Sequence, residues 1–372
     1  MKSPAHNSVA SVILSIAILV VVVFLLLTPA SQGLLRDFFI SPFKDYYPEE
    51  VTFSLERTMT VDANGCRGVN FAIDIPEPMN ITQNGNQMQI VTSVNYSNDL
   101  SPTIKYNHNW MVWEEGPFSE DQRRTMTVTY EVTARAYIWD IDASTSGNLF
   151  DVPDELEKQY LKDEWMMSMS DPAIVAQARE IVGDEENVYV ILRNIYDWMR
   201  ANIYYSAADD AADPSSAYDT LKARAGDCDD QSILFCSLAR AVGVPAWLQL
   251  GAMYLGDGGN WGGHGWLQAY VPLKEGGGEK VVIDIVNGDF LVWRPNRFAD
   301  FTDDGNADHL IDYYSIYNCS YVPPFGFKES HPLFQDAYRS ISYEASDQMI
   351  DNGWLFKMGV RPPGMCLAPS RI

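Results

Sequence analysis

The sequence predicts an α+β chain in three parts. An uncharged N-terminal helix comes first, then an antiparallel β-sandwich. Last comes an α+β unit in which a cysteine opens a helix while a histidine and an aspartate lie on adjacent antiparallel strands. Three observations carry this. Ser8 to Leu27 contains no charged residue. From about Val51 to Asp142 apolar and polar residues alternate. Near Asp151 the period lengthens to that of helices, and strands with Gly-rich turns return after Pro245. The boundaries expected are a short tail over 1–7, a membrane span over 8–28, a sandwich over 37–150, an α+β unit over 151–325 and an extension over 326–372.

Size and composition allow this. A chain of 372 residues holds about two domains of ordinary size, and 47% hydrophobic with 12% aromatic residues supplies a filled core. The net charge of −24 excludes a nucleic-acid partner, which would need a basic patch for the phosphates. It fits solubility in a salty milieu better.

The first element is the span. An uncharged helix from Ser8 to Leu27 reaches roughly 30 Å, the thickness of a bilayer core. A buried core helix is a poor account of a segment with no charge on any side. A cleavable signal peptide ending near Thr28-Pro29-Ala30 competes with an uncleaved anchor, and the length favours the anchor. Lys2 against Arg36 and Lys44 is a weak guide to orientation; a short tail inside and the bulk outside is the simpler arrangement. The expectation is one N-terminal membrane helix with an extracytoplasmic bulk, a cleaved secreted form being the runner-up. The sequons at Asn80, Asn95 and Asn318 are candidate glycosylation sites in that setting.

The sandwich follows from TFSLERTMTV, QMQIVTSVNY and RTMTVTYEVTARAYIWDI, rich in Thr, Val and Tyr and separated by clusters such as Asp62-Ala63-Asn64-Gly65. His108 beside Trp110 and Trp113 reads better as strand packing than as a ligand-binding edge. Further on, Val188, Ile191, Leu192, Ile195 and Trp198 recur at helical spacing.

The stretch GDCDDQSILFCSLARAVGVPA, from Gly226 to Ala246, opens another helix. Asp227 can cap it, Asp229 and Asp230 suit the positive end of its dipole, and Gly243 with Pro245 ends it. Cys228 therefore stands in the first turn, where N–H groups lower a thiol pKa and can bind an oxyanion. The flanking aspartates oppose a thiolate, so the thiol needs a cationic partner. His264 opens a strand-like run in GGHGWLQAYVP, and Asp284 interrupts the apolar VVIDIV, where an unpaired carboxylate is costly. With the connection at Tyr270 to Gly278, Gln268 would face Lys280 and His264 would face Asp284. Cys228 as nucleophile, His264 as base and Asp284 as its orienter make a papain-type arrangement. Zinc fits less well, since paired short ligand spacings are missing.

These residues resemble the transglutaminase-like superfamily. Gly226, Cys228, Leu238, Arg240, Ala241, Gly243, Val244, Pro245 and Ala246 match its Gly-x-Cys to Leu-x-Arg-Ala-x-Gly-Ile-Pro-Ala core without gaps. His264-Gly265-Trp266 is similar to its His-Ala-Trp, and Asp284 to its third motif. The resemblance spans roughly Asp171 to Tyr321 and implies the papain-like fold with Cys228, His264 and Asp284 as catalytic residues. Gly265 stands where Ala is usual, Ile285 where Asp-Pro is common, and Trp247 where Arg is frequent. The anchored layout and the later TDDGNADHLIDYY segment resemble extracytoplasmic prokaryotic members.

Members of that superfamily form isopeptide bonds, cleave peptides, deglycosylate proteins or have lost activity. Hydrolysis of a protein or peptide amide through a thioester is favoured here, because water needs no second site. The alternatives are protein-glutamine cross-linking and, in a different class, an inactive surface adhesion or scaffold protein. No cofactor is expected. Calcium at Asp303, Asp304, Asn306 and Asp308 lacks a recognised loop spacing. Cys319 and Cys366 are the preferred disulfide in an outside compartment, Cys236 is expected buried and reduced, and Cys66 is left without a role. The sequence leaves the oligomeric state open.

Overall fold

The computed structural model describes residues 44–106, 108–206, 213–256 and 260–354. Two compact units emerge. The smaller pairs β1 (Lys44–Pro48) with β20 (Met349–Trp354), and within it Asn352 Nδ2 donates to Asp45 Oδ2 at 3.0 Å. The larger unit runs from Pro48 to Gln348 and carries everything described below.

The expected fold class and location need correction. The described residues are mostly β, 48% strand against 22% helix, where an α+β chain opened by a membrane helix was expected. No helix among the described residues is long and apolar enough to cross a membrane, and the span expected over 8–28 lies outside those residues. The N-terminal membrane helix and the anchored placement built on it are therefore withdrawn.

Two antiparallel sheets face each other. One has the order β19-β2-β8-β5-β4, from Leu333–Ala345, Glu50–Asp62, Arg123–Arg135, Asn86–Tyr96 and Ile81–Gln83. The other runs β18-β3-β7-β6, from Tyr317–Val322, Arg67–Pro76, His108–Phe118 and Ser101–Lys105. Val51, Phe53, Leu55, Met59 and Val61 alternate along β2 and are fully buried, as a half-covered strand requires. His108 is buried edge-on against Trp110 and Phe301, so it is a packing residue. Two later segments finish the sandwich: β18, expected within the α+β unit, lies along β3, and β19, expected in a separate extension beyond 325, lies along β2 for its whole length.

The remaining elements form a helical layer against a third sheet. Helices α1 (Asp154–Tyr160), α2 (Pro172–Val182), α3 (Val188–Asn202), α4 (Ala217–Ala223) and α5 (Cys228–Ala241) precede α6 (Ala307–Tyr314). Asn187 caps α3, and Val188, Ile191, Leu192, Ile195 and Met199 form its buried face. The sheet has the order β15-β14-β13-β12-β17, from Asp289–Phe290, Gly278–Asp284, Trp261–Pro272, Ala246–Tyr254 and Arg297–Thr302. Short strands complete the set: β9 (Tyr137–Ile138) pairs with β16 (Val292–Trp293), and β10 (Tyr204–Tyr205) with β11 (Ala225–Gly226).

This sheet is bonded to the sandwich through buried side chains. Phe53 meets Trp261 with ring centres 4.6 Å apart, and Tyr130 meets Phe298 at 5.5 Å. Arg57, on the inward face of β2, donates to Asp336 and lies 3.9 Å from Asp300 of β17. Burial lifts the Asp300 carboxyl to about 6, although Arg57 and the Tyr313 hydroxyl act the other way.

Two stability tests follow from this packing. At the bulge between Leu250 and Gly251, a Cβ on Gly251 would come 2.0 Å from the Phe298 carbonyl oxygen. Gly251→Ala must push β12 off β17 and should cost about 3 kcal/mol by urea unfolding; a loss under ~0.5 kcal/mol would mean that the bulge yields freely. The folded protein keeps the Asp300 proton up to about pH 6. A free carboxyl releases its proton near ~4. Between those values the folded state binds more protons, so stability declines as pH rises. Asp300→Asn should flatten that part of the decline, and an unchanged slope would exonerate Asp300.

Candidate active site

Helix α5 is fixed at both ends before any chemistry is considered. The parallel pairing of β10 and β11 delivers the chain to its N-cap, Asp227. Asp230 Oδ2 accepts from the Asp227 N–H at 3.2 Å and its Oδ1 from the Ser215 N–H at 2.6 Å, and burial raises its pKa. Ser232 Oγ donates to the Cys228 carbonyl at 2.7 Å. At the other end the buried Arg240, seen in the sequence only as a motif match, donates to the Ala246 carbonyl at 2.7 Å and to Glu164 at 2.8 Å. Cys228 is 9% exposed, and its sulfur lies within 4.8 Å of a carboxylate oxygen of Asp227 and one of Asp229.

His264 and Asp284 come from the β13–β14 hairpin. The observed register sets Tyr270 opposite Lys280 and Gln268 opposite Val282, two residues away from the one the sequence predicts. The reason is the turn. The Leu273 N–H donates to the Gly277 carbonyl at 3.1 Å, and Gly276 and Gly277 take positive φ, so the connection needs only a few residues and both strands run further. A slip of two preserves side-chain parity, so His264 and Asp284 still share a face. His264 Nε2 and Asp284 Oδ2 are 2.7 Å apart, with the histidine 7% exposed and the aspartate 1%.

Asp284 has further partners. Its Oδ2 accepts from Asn287 Nδ2 at 2.8 Å and from Arg297 Nη1, and its Oδ1 from the Asn287 N–H at 3.2 Å. The other arm of the Arg297 guanidinium donates to Asp289 Oδ2 at 2.8 Å, and Arg294 Nε donates to Asp289 Oδ1 at 2.6 Å. Burial alone would raise the Asp284 pKa, but the charges of His264 and Arg297 outweigh it and hold the carboxyl well below its usual range. Asp289 goes the other way, raised by burial in spite of both arginines. An ionised Asp284 only accepts, so Nε2 donates to it, and whenever the imidazole is neutral Nδ1 is the basic nitrogen. Nothing in the sequence around Arg297, the second of two arginines in WRPNRF, announces this role.

Helix and hairpin meet one residue beyond Cys228 and one beyond His264. A Cβ on Gly265 would lie 3.1 Å from Asp229 Cβ and 3.4 Å from Asp229 Cα, so the glycine lets β13 close onto the first turn of α5. Two indoles stiffen the same sheet: Trp266 Nε1 donates to Gln249 at 2.8 Å and Trp247 Nε1 to Gln268 at 2.9 Å, each directly across from its partner.

The other candidates lie elsewhere. Asn80, Asn95 and Asn318 are exposed. Cys319 is exposed on β18 and Cys366 lies outside the described residues, while Cys66 is buried with its thiol 3.7 Å from the Ser330 carbonyl. Cys236 is buried, and burial raises its thiol pKa. Asp303 turns inward to Arg240 at 3.5 Å, Asp304 binds His309 at 2.8 Å, and Asn306 accepts from the Asp308 N–H at the start of α6. Among the described residues Asp303, Asp304 and Asp308 do not converge as a metal-binding group.

Residues 175–278 match the transglutaminase-like superfamily, a span that includes Cys228 and His264 and ends before Asp284. No curated protein sequence matches the chain. Among solved structures, one from Cytophaga hutchinsonii, provisionally named a cysteine protease, aligns with a TM-score of 0.55 at 17% identity, covering 81% of this chain and 95% of that one. That likeness is one of fold. The periplasmic domain of TgpA from Pseudomonas aeruginosa aligns at a TM-score of 0.34 and 11% identity, over 62% of this chain and 87% of that one.

Arg297→Gln would leave Asp284 and Asp289 buried with half their countercharge. A loss of about 3–5 kcal/mol in chemical unfolding is expected, as for other broken buried pairs. A near-neutral result would show that the two carboxylates can discard their charge by protonation.

Proposed function

We propose that the protein is a cysteine enzyme that cleaves an amide bond in a protein or peptide through a thioester on Cys228. The observation that carries this reading is the buried 2.7 Å contact between His264 Nε2 and an ionised Asp284, on a strand that abuts the first turn of the cysteine helix. In the proposed reaction Nδ1 of His264 takes the thiol proton as the sulfur attacks the carbonyl carbon. The tetrahedral oxyanion is met by N–H groups of the first turn of α5. His264 then returns the proton to the leaving amine, the C–N bond breaks, and the acyl group remains as a thioester. Asp284 fixes the imidazole tautomer and stabilises the imidazolium without taking the proton itself.

Water attacking the thioester, its proton passing to His264, completes hydrolysis and regenerates the thiol. A primary amine in place of water would give transamidation instead. Hydrolysis is the reading preferred, since it asks for no second binding site.

The experiment uses an activity-based thiol probe and a library of peptides, read by mass spectrometry with and without a fluorescent primary amine. Cys228→Ala should abolish labelling at that site and all turnover, and His264→Ala should lower kcat/KM by at least ~10²-fold. New carboxyl termini support hydrolysis, and incorporated amine supports acyl transfer. Equal labelling of wild type and Cys228→Ala, with no product in either, would leave a protein that binds but does not catalyse.

A further inference from the structure

The sequence raises a difficulty at Cys228: aspartates crowd the thiol whose ionisation the chemistry needs. The sulfur has carboxylate oxygens of Asp227 and Asp229 within 4.8 Å. At such separations a carboxylate disfavours a thiolate, so something must moderate these charges.

Part of the answer stands on α6. The Tyr314 hydroxyl donates to Asp229 Oδ2 at 3.0 Å, while Asp229 Oδ1 accepts the Asp230 N–H at 3.1 Å. Asp229 is nine-tenths buried, so its charge is weakly screened by water and these donors weigh heavily. Tyr314 is held in turn by neighbouring rings, with Trp165 centred 5.1 Å away and Tyr313 edge-on at 5.8 Å. Burial and then the Asp229 charge raise the Tyr314 pKa far above its ordinary value, so the hydroxyl keeps its proton and stays a donor wherever a thiol titrates.

We propose that Tyr314 is a positioning residue for Cys228: by donating to Asp229 it draws that carboxylate's charge away from the sulfur and lets the thiol ionise at lower pH. The titratable groups at this point include Asp227, Asp229 and Asp230 at the start of α5 and Tyr313 and Tyr314 on α6, with His264 on the adjoining β13. Asp230 is engaged with the Asp227 and Ser215 N–H groups, and Asp229 is the carboxylate to which the Tyr314 hydroxyl donates. The inference rests on reading Cys228 as the nucleophile, and it gives a role to a tyrosine that closes the TDDGNADHLIDYY segment and lies outside the His264–Asp284 contact.

The test is the pH dependence of iodoacetamide alkylation at Cys228, resolved from the other cysteines by peptide mass spectrometry on the intact chain. Tyr314→Phe keeps the ring against Trp165 and should move the midpoint up by about half a pH unit. Asp229→Asn should move it down by about one unit, the opposite sign. In the Asp229→Asn background, Tyr314→Phe should have no further effect, because the charge it moderated is gone. An equal upward shift in both backgrounds, or none in either, overturns the proposal, as does an upward shift from Asp229→Asn. Should Tyr314→Phe fail to fold, the direction of the Asp229→Asn shift still decides. His264→Ala separates this inference from the functional reading. If that variant leaves the profile unmoved while the Tyr314 and Asp229 variants shift it, the triad falls and the tyrosine's influence stands.

Discussion

Arg297 holds two buried carboxylates at once, and the placement of His264 follows from that fork. A dry interior does not tolerate a charge without a counterpart, and Asp284 and Asp289 are both almost wholly removed from water. A guanidinium can meet two carboxylates with separate N–H pairs, which a lysine cannot do with the same geometry. Because Arg297 begins β17 while the aspartates flank the β14–β15 turn, the fork links strands from opposite ends of the sheet order. The two carboxylates nevertheless diverge: Asp284, with the imidazole as a third partner, stays ionised readily, whereas Asp289 is raised. One shared cation thus yields an acceptor for the imidazole and a neighbour that absorbs excess charge.

A comparable economy governs the far end of α5. Glu164 and Asp303 face one arginine, Arg240, and all three side chains are fully buried. Two negative charges against one positive cannot all persist in that setting, and the Asp303 pKa is raised well above normal by burial and by Glu164. A retained proton settles the count. The cysteine helix is therefore tied at its start by Asp230 and at its end by Arg240, which leaves little freedom for Cys228 to drift along the sheet.

How much of this could be read in advance depended on the range of each interaction. Helix α5 was legible because its cap, acidic first turn and glycine stop lie within one short stretch. The shared face of His264 and Asp284 was legible because strand parity survives an even slip, although the turn length, and with it the register, was not. Arg297 and Tyr314 were invisible for a different reason. Tyr314 meets Asp229 across 85 positions of chain, and a tyrosine in an amphipathic helix looks the same whether it packs or donates. The closing strand of the sandwich escaped because LFQDAYRSISYEA lies mostly exposed at a sheet edge, so it shows little of the apolar alternation that marks an inner strand. The apolar stretch at the N-terminus illustrates the converse: length and lack of charge describe a segment's affinity for lipid, not its place in the fold.

The way β18 and β19 return to the sandwich bears on how the chain is made. Leu333 lies opposite Asp62 and Tyr317 opposite Ile73, so each sheet acquires an edge strand from sequence synthesised after the whole cysteine-bearing region. On a ribosome that adds about 5–20 residues per second, β2 and β3 must wait many seconds with one flank unpaired. Over that interval the helical layer has emerged and can pack, and Phe53 and Tyr130 acquire Trp261 and Phe298 as neighbours. Completion of the sandwich thereby comes late in synthesis rather than early, and a nascent chain halted before Leu333 still exposes a long strand able to pair with another molecule.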